Sequence, residues 1–80
     1  MDNKEILKKV NEIFIEVLDD EDIVLEESTT ADDVEDWDSL THIQLIVAIE
    51  KTFGLRFGSQ EIRTWENVGE MCRSIEKKLS

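Results

Sequence analysis

Apolar residues at helical spacing define the first element of the chain. Between about Asn3 and Leu18 an apolar side chain returns every three or four positions, and mostly polar or charged residues lie between. This period is typical of an amphipathic helix with one face toward a core. The predicted core stripe comprises Ile6, Leu7, Val10, Ile13, Phe14, Val17 and Leu18. The pattern therefore predicts a first helix that packs inside the molecule.

A second helix is predicted from Ser39 to about Phe53. Asp38 can cap its first turn with a carboxylate, and Gly54 is a typical stop signal after its last turn. The helix has two apolar stripes on roughly opposite faces. One consists of Leu45, Ile46, Ile49 and Phe53, and the other of Leu40, Ile43 and Val47. Since only one stripe needs to face the core, the second is either covered by other helices or kept for a partner.

The remainder of the chain predicts one short and one longer helix. Residues 59–64 can form a helical turn capped by Ser59, and residues 67–70 (Asn-Val-Gly-Glu) have the spacing of a capping box that opens a final helix. The apolar side of this helix comprises Val68, Met71, Cys72, Ile75 and Leu79. No stretch alternates as a strand does. We therefore predict an all-α fold, a small four-helix bundle with three main helices and one short helix, in which residues 1–80 form one domain.

The connection between the first two helices, residues 19–38, is long and acidic. A loop of this length is uncommon in a compact domain unless it is functional or pinned by a few side chains. Ile23 and Leu25 can pin its first half to the core, while Val34 and Trp37 can fix its approach to the second helix. A solvated acidic loop and a docking surface both fit this composition, and both interpretations remain open.

The charge balance narrows the classes of partner. The chain has 20 acidic and 9 basic residues, for a formal net charge of -11. Such a charge repels nucleic acids and anionic membranes and attracts basic protein surfaces, so we expect protein partners, no nucleic acid and no membrane. We also expect a cytoplasmic protein, because the sequence shows no leader and no apolar run near the ~18 residues of a membrane span.

The sequence predicts neither a metal site nor catalysis by the chain itself. One cysteine and one histidine cannot build a zinc site, and no glycine precedes Gly54 to form a calcium-binding loop. Ser39 has no evident general base, because His42 lies some 300° around the helical wheel and Asp38 is better used as a cap. Cys72 lacks a basic neighbour that would activate it and is interpreted as a core residue. We therefore predict no catalytic residue.

One motif indicates a different role for Ser39. The sequence Asp38-Ser39-Leu40, followed by an apolar helix that ends in Phe-Gly-Leu-Arg-Phe (residues 53–57), resembles the acyl carrier proteins and their carrier-domain relatives. The resemblance covers nearly the whole chain. It implies that Ser39, between Asp38 and Leu40 of the signature, carries 4'-phosphopantetheine derived from coenzyme A. A phosphodiester there would lie at the positive end of the helix dipole, a favourable place for an anion.

The resemblance also implies a function and partners. It implies an acyl carrier that holds thioesters for enzymes of fatty-acid, polyketide or related biosynthesis. The expected partners are a phosphopantetheinyl transferase, an acyl-loading ligase or acyltransferase, and synthases with basic docking patches; the chain itself is expected to be a monomer. The candidate docking residues are Asp32, Asp33, Glu35, Asp36, Leu40, Ile43 and Val47. The candidate acyl pocket comprises His42, expected near its edge, with Leu45, Ile46, Ile49 and Phe53.

Some positions depart from the usual pattern of that family. Asp36 and Trp37 fill the approach where a glycine commonly lies two residues before the aspartate, and Thr41 and Gln44 occupy positions that are acidic in many fatty-acid carriers. These departures favour a specialised stand-alone carrier over housekeeping fatty-acid synthesis. Two alternatives stay open: a carrier of amino acids or D-alanine loaded by an adenylating enzyme, and an unmodified acidic module that binds basic proteins.

Overall fold

The computed structural model describes residues 2–79. They form four α-helices, α1 (Asn3–Leu18), α2 (Ser39–Phe53), α3 (Ser59–Arg63) and α4 (Val68–Leu79), with one turn of 3-10 helix at Ala31–Asp33. Within residues 2–79 there is no strand, and no helix there is long and apolar enough to cross a bilayer. The predicted all-α arrangement of three main helices and one short helix is confirmed.

The two long N-terminal helices begin and end where the sequence predicts. The carboxylate of Asp2 accepts the backbone N–H of Glu5 at 2.9 Å at the start of α1, and Asp38 caps α2. Asp19 (φ 53) directly follows α1 and Gly54 (φ 67) directly follows α2, and both adopt the left-handed conformation. The backbone N–H of each donates to a carbonyl of the last turn of its helix. This geometry ends each helix and satisfies carbonyls that the helix leaves unpaired.

The start of α3 differs from the prediction. Ser59 is already helical and is not the cap, so that expectation is wrong. Gly58 takes the N-cap position because its backbone is extended (φ -78, ψ 152), and its N–H donates to the Glu61 carboxylate at 3.4 Å. A cap must have extended backbone, which Ser59 lacks.

The start of α4 follows the predicted capping box in part. The Asn67 side-chain oxygen accepts the backbone N–H of Glu70 at 2.9 Å, as the box requires. The Glu70 carboxylate, however, accepts from the N–H of Glu66 at 2.6 Å and not from Asn67, so the reciprocal bond falls one residue earlier.

A single apolar cluster joins the helices and the acidic loop. α1 contacts both α2 and α4, and its predicted stripe supplies five of the buried side chains. The buried cluster comprises Ile6, Val10, Ile13, Phe14, Leu18, Ile23, Leu25, Trp37, Leu45, Ile49, Val68, Met71, Cys72 and Ile75. Leu79, which the sequence places on the apolar side of α4, is exposed. The core therefore ends one turn before the last residues of α4.

The loop between α1 and α2 is tied to the core by its predicted apolar residues. Ile23 and Leu25 are buried, and Val34 is half-buried against the cluster. Asn11 of α1 reinforces this contact: its side-chain amide donates to the carbonyl of Ile23 at 3.2 Å, and its oxygen accepts the N–H of Leu25 at 2.6 Å. The loop therefore has a defined path across the surface despite its length.

The same loop also caps α4. The N–H groups of Val68 and Gly69 donate to the carbonyls of Thr29 and Glu27, both at 2.8 Å. These two donors belong to the first turn of α4, which has no partners within its own helix. Gly69 is required by the close approach, because a Cβ at this position would lie 2.9 Å from the Glu27 carbonyl oxygen.

We predict that Gly69→Ala lowers the free energy of unfolding by about 1–3 kcal/mol, because the loop backbone must move away from α4. The clash outweighs the better helix propensity of alanine, worth about 1 kcal/mol in a helix interior. Urea denaturation followed by circular dichroism measures the effect. Gly58→Ala is the control, since a Cβ there meets nothing within 4 Å; equal stability of the two variants would contradict this interpretation.

Candidate functional site

Ser39 is the first residue of α2 and is exposed. The Asp38 carboxylate beside it accepts the N–H groups of Leu40 at 3.0 Å and Thr41 at 2.9 Å. Thr41 completes the cap, because its hydroxyl accepts the N–H of Asp38 at 2.8 Å. Within residues 2–79 the Ser39 hydroxyl makes no hydrogen bond. The cap thus fixes the serine backbone and leaves its oxygen free.

The cap also keeps Asp38 charged. The backbone N–H of Thr41 has the largest effect on the pKa of the Asp38 carboxyl; burial opposes it, and the N–H groups of Thr41 and Leu40 together hold this pKa below its ordinary value. A carboxylate at a helix N-terminus is stabilised by these donors and by the helix dipole. Asp38 is therefore occupied as a structural anion and is not a base for its neighbour.

A cavity of about 350 Å³ opens beside Ser39. The residues that line it come from the loop, the start of α2, the connection after α3 and α4. They are Ala31, Trp37, Asp38, Ser39, His42, Trp65, Glu66, Asn67 and Met71. Both tryptophans of the chain form part of this wall. The serine thus lies at the edge of a mixed aromatic and polar cavity.

Trp37 and His42 form the wall nearest the serine. The indole N–H of Trp37 donates to Nδ1 of His42 at 3.0 Å, and the two rings stack with centroids 5.9 Å apart. On its other side, Trp37 meets the Phe14 ring edge-on at 4.9 Å. Because Nδ1 accepts a hydrogen bond, the neutral imidazole carries its proton on Nε2. Burial lowers the pKa of His42 and favours this neutral form.

The position of His42 relative to Ser39 corrects the helical-wheel argument. An offset of 300° is 60° in the other direction, so residues three apart lie on neighbouring parts of one helix face. The structure agrees, since both residues line the cavity. Even so, no hydrogen bond joins them within residues 2–79, and Nδ1 of His42 is already used by Trp37.

Trp65 also lines the cavity and is held by α4 and by the segment before α3. Its indole N–H donates to the Ser74 hydroxyl at 2.8 Å, and its ring meets Phe57 edge-on at 4.8 Å. An ion pair between Lys78 of α4 and Glu61 of α3, 3.2 Å long, connects these two helices. The indole of Trp65 is therefore held by one hydrogen bond and one ring contact.

Among the residues assigned to an acyl pocket, only His42 lines the cavity beside the serine. Leu45 and Ile49 are completely buried in the core, Ile46 is buried, and Phe53 is half-buried at the end of α2. The sequence pattern did not identify Trp65, Asn67 and Met71 as neighbours of Ser39. No local signal places them there, because they are brought to the serine by the packing of the segment that enters α4.

The candidate docking residues lie on the surface. Leu40, Ile43 and Val47, here called the docking strip, are 69%, 62% and 43% exposed. Exposed apolar side chains at this spacing form a continuous stripe on one helix face. The candidate acidic docking residues, Asp32, Asp33, Glu35 and Asp36, are also exposed. Loop and strip therefore present charge and apolar area on the two sides of the serine.

Other candidate chemistry is absent from the described residues. Cys72 is buried, and burial raises the pKa of its thiol to about 11; the interpretation as a core residue is confirmed. Residues 2–79 contain no group of three or more His, Cys, Asp or Glu side chains placed to hold a metal ion.

Fold and site define a class: a small helical protein that presents one free serine at a helix start, beside an acidic loop and an apolar strip. Comparisons with known proteins agree. The family model described as the phosphopantetheine attachment site matches residues 8–75. The acyl carrier protein of Thermotoga maritima is 36% identical over 77 residues, covering 95% of this chain and 94% of the relative. That of Petrotoga mobilis is 32% identical over 81 residues, covering 100% and 94%.

A solved structure is similar as well. The solution NMR structure of a holo acyl carrier protein from Geobacter metallireducens superposes with a TM-score of 0.87 at 40% identity, covering 91% of this chain and 84% of that one. The chain therefore belongs to the acyl carrier protein family. This is a family of carriers and not of catalysts; its prosthetic group is 4'-phosphopantetheine, and its members interact with phosphopantetheinyl transferases and acyl-handling enzymes.

We predict that the single histidine titrates below its ordinary pKa of 6.5, because burial disfavours the charged imidazole; a proton on Nδ1 would also break the bond from Trp37. The unfolded chain then binds this proton more readily than the folded chain does. This contribution to the free energy of unfolding is complete above about pH 6.5 and is lost as the pH falls below that value. NMR titration of the imidazole measures the midpoint.

The control for stability is His42→Asn, which keeps an acceptor for Trp37 and does not titrate. A histidine midpoint at or above 6.5, or the same pH dependence of stability in both proteins between pH 7.5 and 5.5, would contradict the prediction.

Proposed function

We propose that this chain is an acyl carrier protein that bears its 4'-phosphopantetheine arm on Ser39 and delivers acyl groups, held as thioesters, to biosynthetic enzymes. The observation that carries the proposal is the free hydroxyl of Ser39. It is exposed, has no hydrogen-bond partner within residues 2–79, and is held in place by the Asp38 cap. A transferase can reach such an oxygen without unfolding any part of the helix.

The residues around Ser39 suit a phosphodiester. The carboxylate of Asp38 uses the N–H groups of Leu40 and Thr41 and, within residues 2–79, leaves the N–H of Ser39 itself unengaged. The positive end of α2 therefore retains a donor next to the proposed attachment point, which favours an anion. When bound, the arm supplies a thiol that forms thioesters, while Asp38, Leu40 and the first turn of α2 fix where it starts.

The proposed docking surface combines the docking strip with residues 32–36 of the acidic loop. Asp32, Asp33, Glu35 and Asp36 supply negative charge before the serine, and the strip supplies exposed apolar area after it. Partner enzymes with basic patches around an apolar pocket would complement both parts. We propose that the transferase, an acyl-loading ligase or acyltransferase, and the synthases of the pathway use this surface.

The pathway is proposed to be specialised. The exposed face of α2 carries Thr41 and Gln44 where many fatty-acid carriers carry acidic residues, and Lys51 adds a positive charge near its end. A synthase that recognises acidic side chains along the whole helix would find few of them on α2. We propose a stand-alone, monomeric, one-domain carrier that acts in the cytoplasm, where coenzyme A is available, in fatty-acid, polyketide or related biosynthesis.

Co-expression with a broad-specificity phosphopantetheinyl transferase should add one phosphopantetheinyl mass to the protein, located at Ser39 by peptide mass spectrometry. Ser39→Ala should abolish the addition. It should change the free energy of unfolding by less than about 0.5 kcal/mol, because the side chain is exposed and Asp38 still caps the helix.

The result also separates the alternatives. A chain that stays unmodified with several competent transferases, or is modified elsewhere, would overturn the carrier proposal in favour of an unmodified interaction module. A second outcome is that Ser39 is modified but that an adenylating enzyme then loads only an amino acid. This result would replace the proposed acyl cargo with an amino acid and would keep Ser39 as the attachment site.

Leu40→Asp and Val47→Asp should each slow transfer of the arm at least about fivefold, as expected when an interface loses an anchor worth 1 kcal/mol or more. Thermal stability should change little, since both side chains are exposed. Val24→Asp is the matched control: Val24 is 80% exposed in the acidic loop and lies outside the docking strip. An equal slowing in all three variants would attribute the effect to added charge and contradict a role for the strip.

A further inference from the structure

A groove of about 380 Å³ lies at the C-terminal end of α2. Val47 belongs both to this groove and to the docking strip, so the two surfaces are continuous. We call it the α2-end groove, and the residues that line it are Val47, Glu50, Lys51, Gly54, Leu55 and Arg56. The docking strip therefore leads from the serine into a concave site at the far end of the helix.

Glu50 holds the backbone that forms the groove. Its carbonyl accepts the N–H groups of Gly54 and Leu55, the latter at 3.1 Å, and its carboxylate accepts the N–H of Phe57 at 2.9 Å. Leu55 and Phe57 also pack against the core cluster. The groove is therefore already formed in the free protein, and the acidic side chain in its lining is engaged by the backbone that follows α2.

Two exposed cations, Lys51 and Arg56, line the groove. Within residues 2–79 neither of them makes an ion pair. The helix dipole favours a cation in the last turn of α2, which explains Lys51, but this effect falls off beyond the last turn and does not explain Arg56. A guanidinium presents a fork of N–H donors that matches a carboxylate. The groove thus offers a binding site for a carboxylate beside the apolar side chains of Val47 and Leu55.

The charge of the α2-end groove is opposite in sign to that of the loop. Residues 19–38 contain eleven acidic residues and no lysine or arginine, whereas residues 40–58 contain one acidic residue and two basic ones. Ser39 and Lys51 lie at opposite ends of α2, about 18 Å apart along its axis at about 1.5 Å per residue. This distance exceeds the Debye length of about 8 Å at physiological salt. A bound partner therefore meets the two charges as separate contacts.

We propose that the α2-end groove is a second contact site for acyl-handling partner enzymes, and that it takes an apolar side chain of the enzyme next to an aspartate or glutamate. The inference rests on the proposed function, because it concerns enzymes that bind the docking strip. Val47 and Leu55 supply the apolar contact, and Lys51 and Arg56 bind the carboxylate. A basic patch that matches the loop is then insufficient for recognition, because the partner must also present a negative charge at the end of α2.

Charge reversal tests the proposal through the sign of its effect. The probe is an acyl ligase first shown to load a thioester onto the holo protein, and intact mass verifies full modification of each variant. Lys51→Glu and Arg56→Glu should each raise the KM of the ligase for the carrier about fivefold, as expected when an exposed ion pair at an interface becomes a repulsion. The kcat should change less than about twofold, because the groove affects binding and is remote from Ser39.

Lys8→Glu in α1 and Arg73→Glu in α4 are the matched controls, because they make the same chemical changes at exposed positions outside the groove lining. They should leave the KM unchanged or lower it, because they add negative charge to a protein whose loop attracts basic patches. Lys51→Met and Arg56→Met remove a charge without adding a repulsion and should raise the KM about twofold. Circular dichroism verifies that all variants fold.

Cross-linking identifies the carboxylate of the partner. A carbodiimide joins the Lys51 amine to a nearby carboxylate by an amide bond, and the reagent takes up the water that is lost. Peptide mass spectrometry should find Lys51 joined to an aspartate or glutamate of the ligase. Replacing that residue of the ligase by lysine should return the KM of Lys51→Glu to within about twofold of the original value, since the charges of the pair are then exchanged.

Each outcome decides a separate claim. A KM that is unchanged or lower in both Lys51→Glu and Arg56→Glu would overturn the second contact site and leave the carrier function intact. An equal rise in the two control variants would attribute the effect to net charge and also overturn it. A rise in only one of the two reversal variants would assign the carboxylate contact to that cation alone. Failure to modify Ser39, or failure of every ligase to load the holo protein, would overturn the proposed function, and this inference with it.

Discussion

The hydrogen bond from the Trp37 indole to Nδ1 of His42, 3.0 Å long, connects the acidic loop to the helix that carries the serine. The same indole packs edge-on against Phe14 of α1, so one side chain joins the core, the loop and α2. A loop of this length loses much conformational entropy when ordered. Its path is fixed by a few anchors, and Trp37 is the anchor that stands two residues before Ser39.

Because these anchors hold the loop, the chain can carry many acidic residues in it. A net charge of -11 on 80 residues opposes compaction through self-repulsion. The buried residues Ile23, Leu25 and Trp37 hold the loop, and the side chains of its acidic residues 32, 33, 35 and 36 remain in solvent. The loop can therefore be strongly acidic and still ordered, because its attachment uses apolar contacts and backbone hydrogen bonds.

Sequence patterns predict the parts of this structure that depend on neighbouring residues. The bounds of α1 and α2 follow from apolar period and from caps at Asp38 and Gly54, and the loop anchors follow from isolated apolar residues. The cavity wall does not follow. Asn67 and Trp65 come close to Ser39 only through packing between elements distant in the chain. Ser39 and His42 are neighbours on one helix face, because an offset of 300° is 60° in the other direction. Whether Ser59 or Gly58 caps α3 depended on backbone angles that composition does not specify.

Thr41 gives a physical reason for one departure from the usual carrier pattern. Its hydroxyl accepts the N–H of Asp38 and donates to the carbonyl of Asp36, both at 2.8 Å. A carboxylate at this position could accept the first bond, but it could not donate the second, and it would repel the Asp38 carboxylate beside it. With Asp36 and Trp37 in the approach to the serine, a hydroxyl at residue 41 is therefore the better partner for the loop backbone. With Thr41 and Gln44 uncharged, negative charge is concentrated before Ser39 and not on the first turns of α2, so the charge of the loop and the docking strip of the helix form separate surfaces.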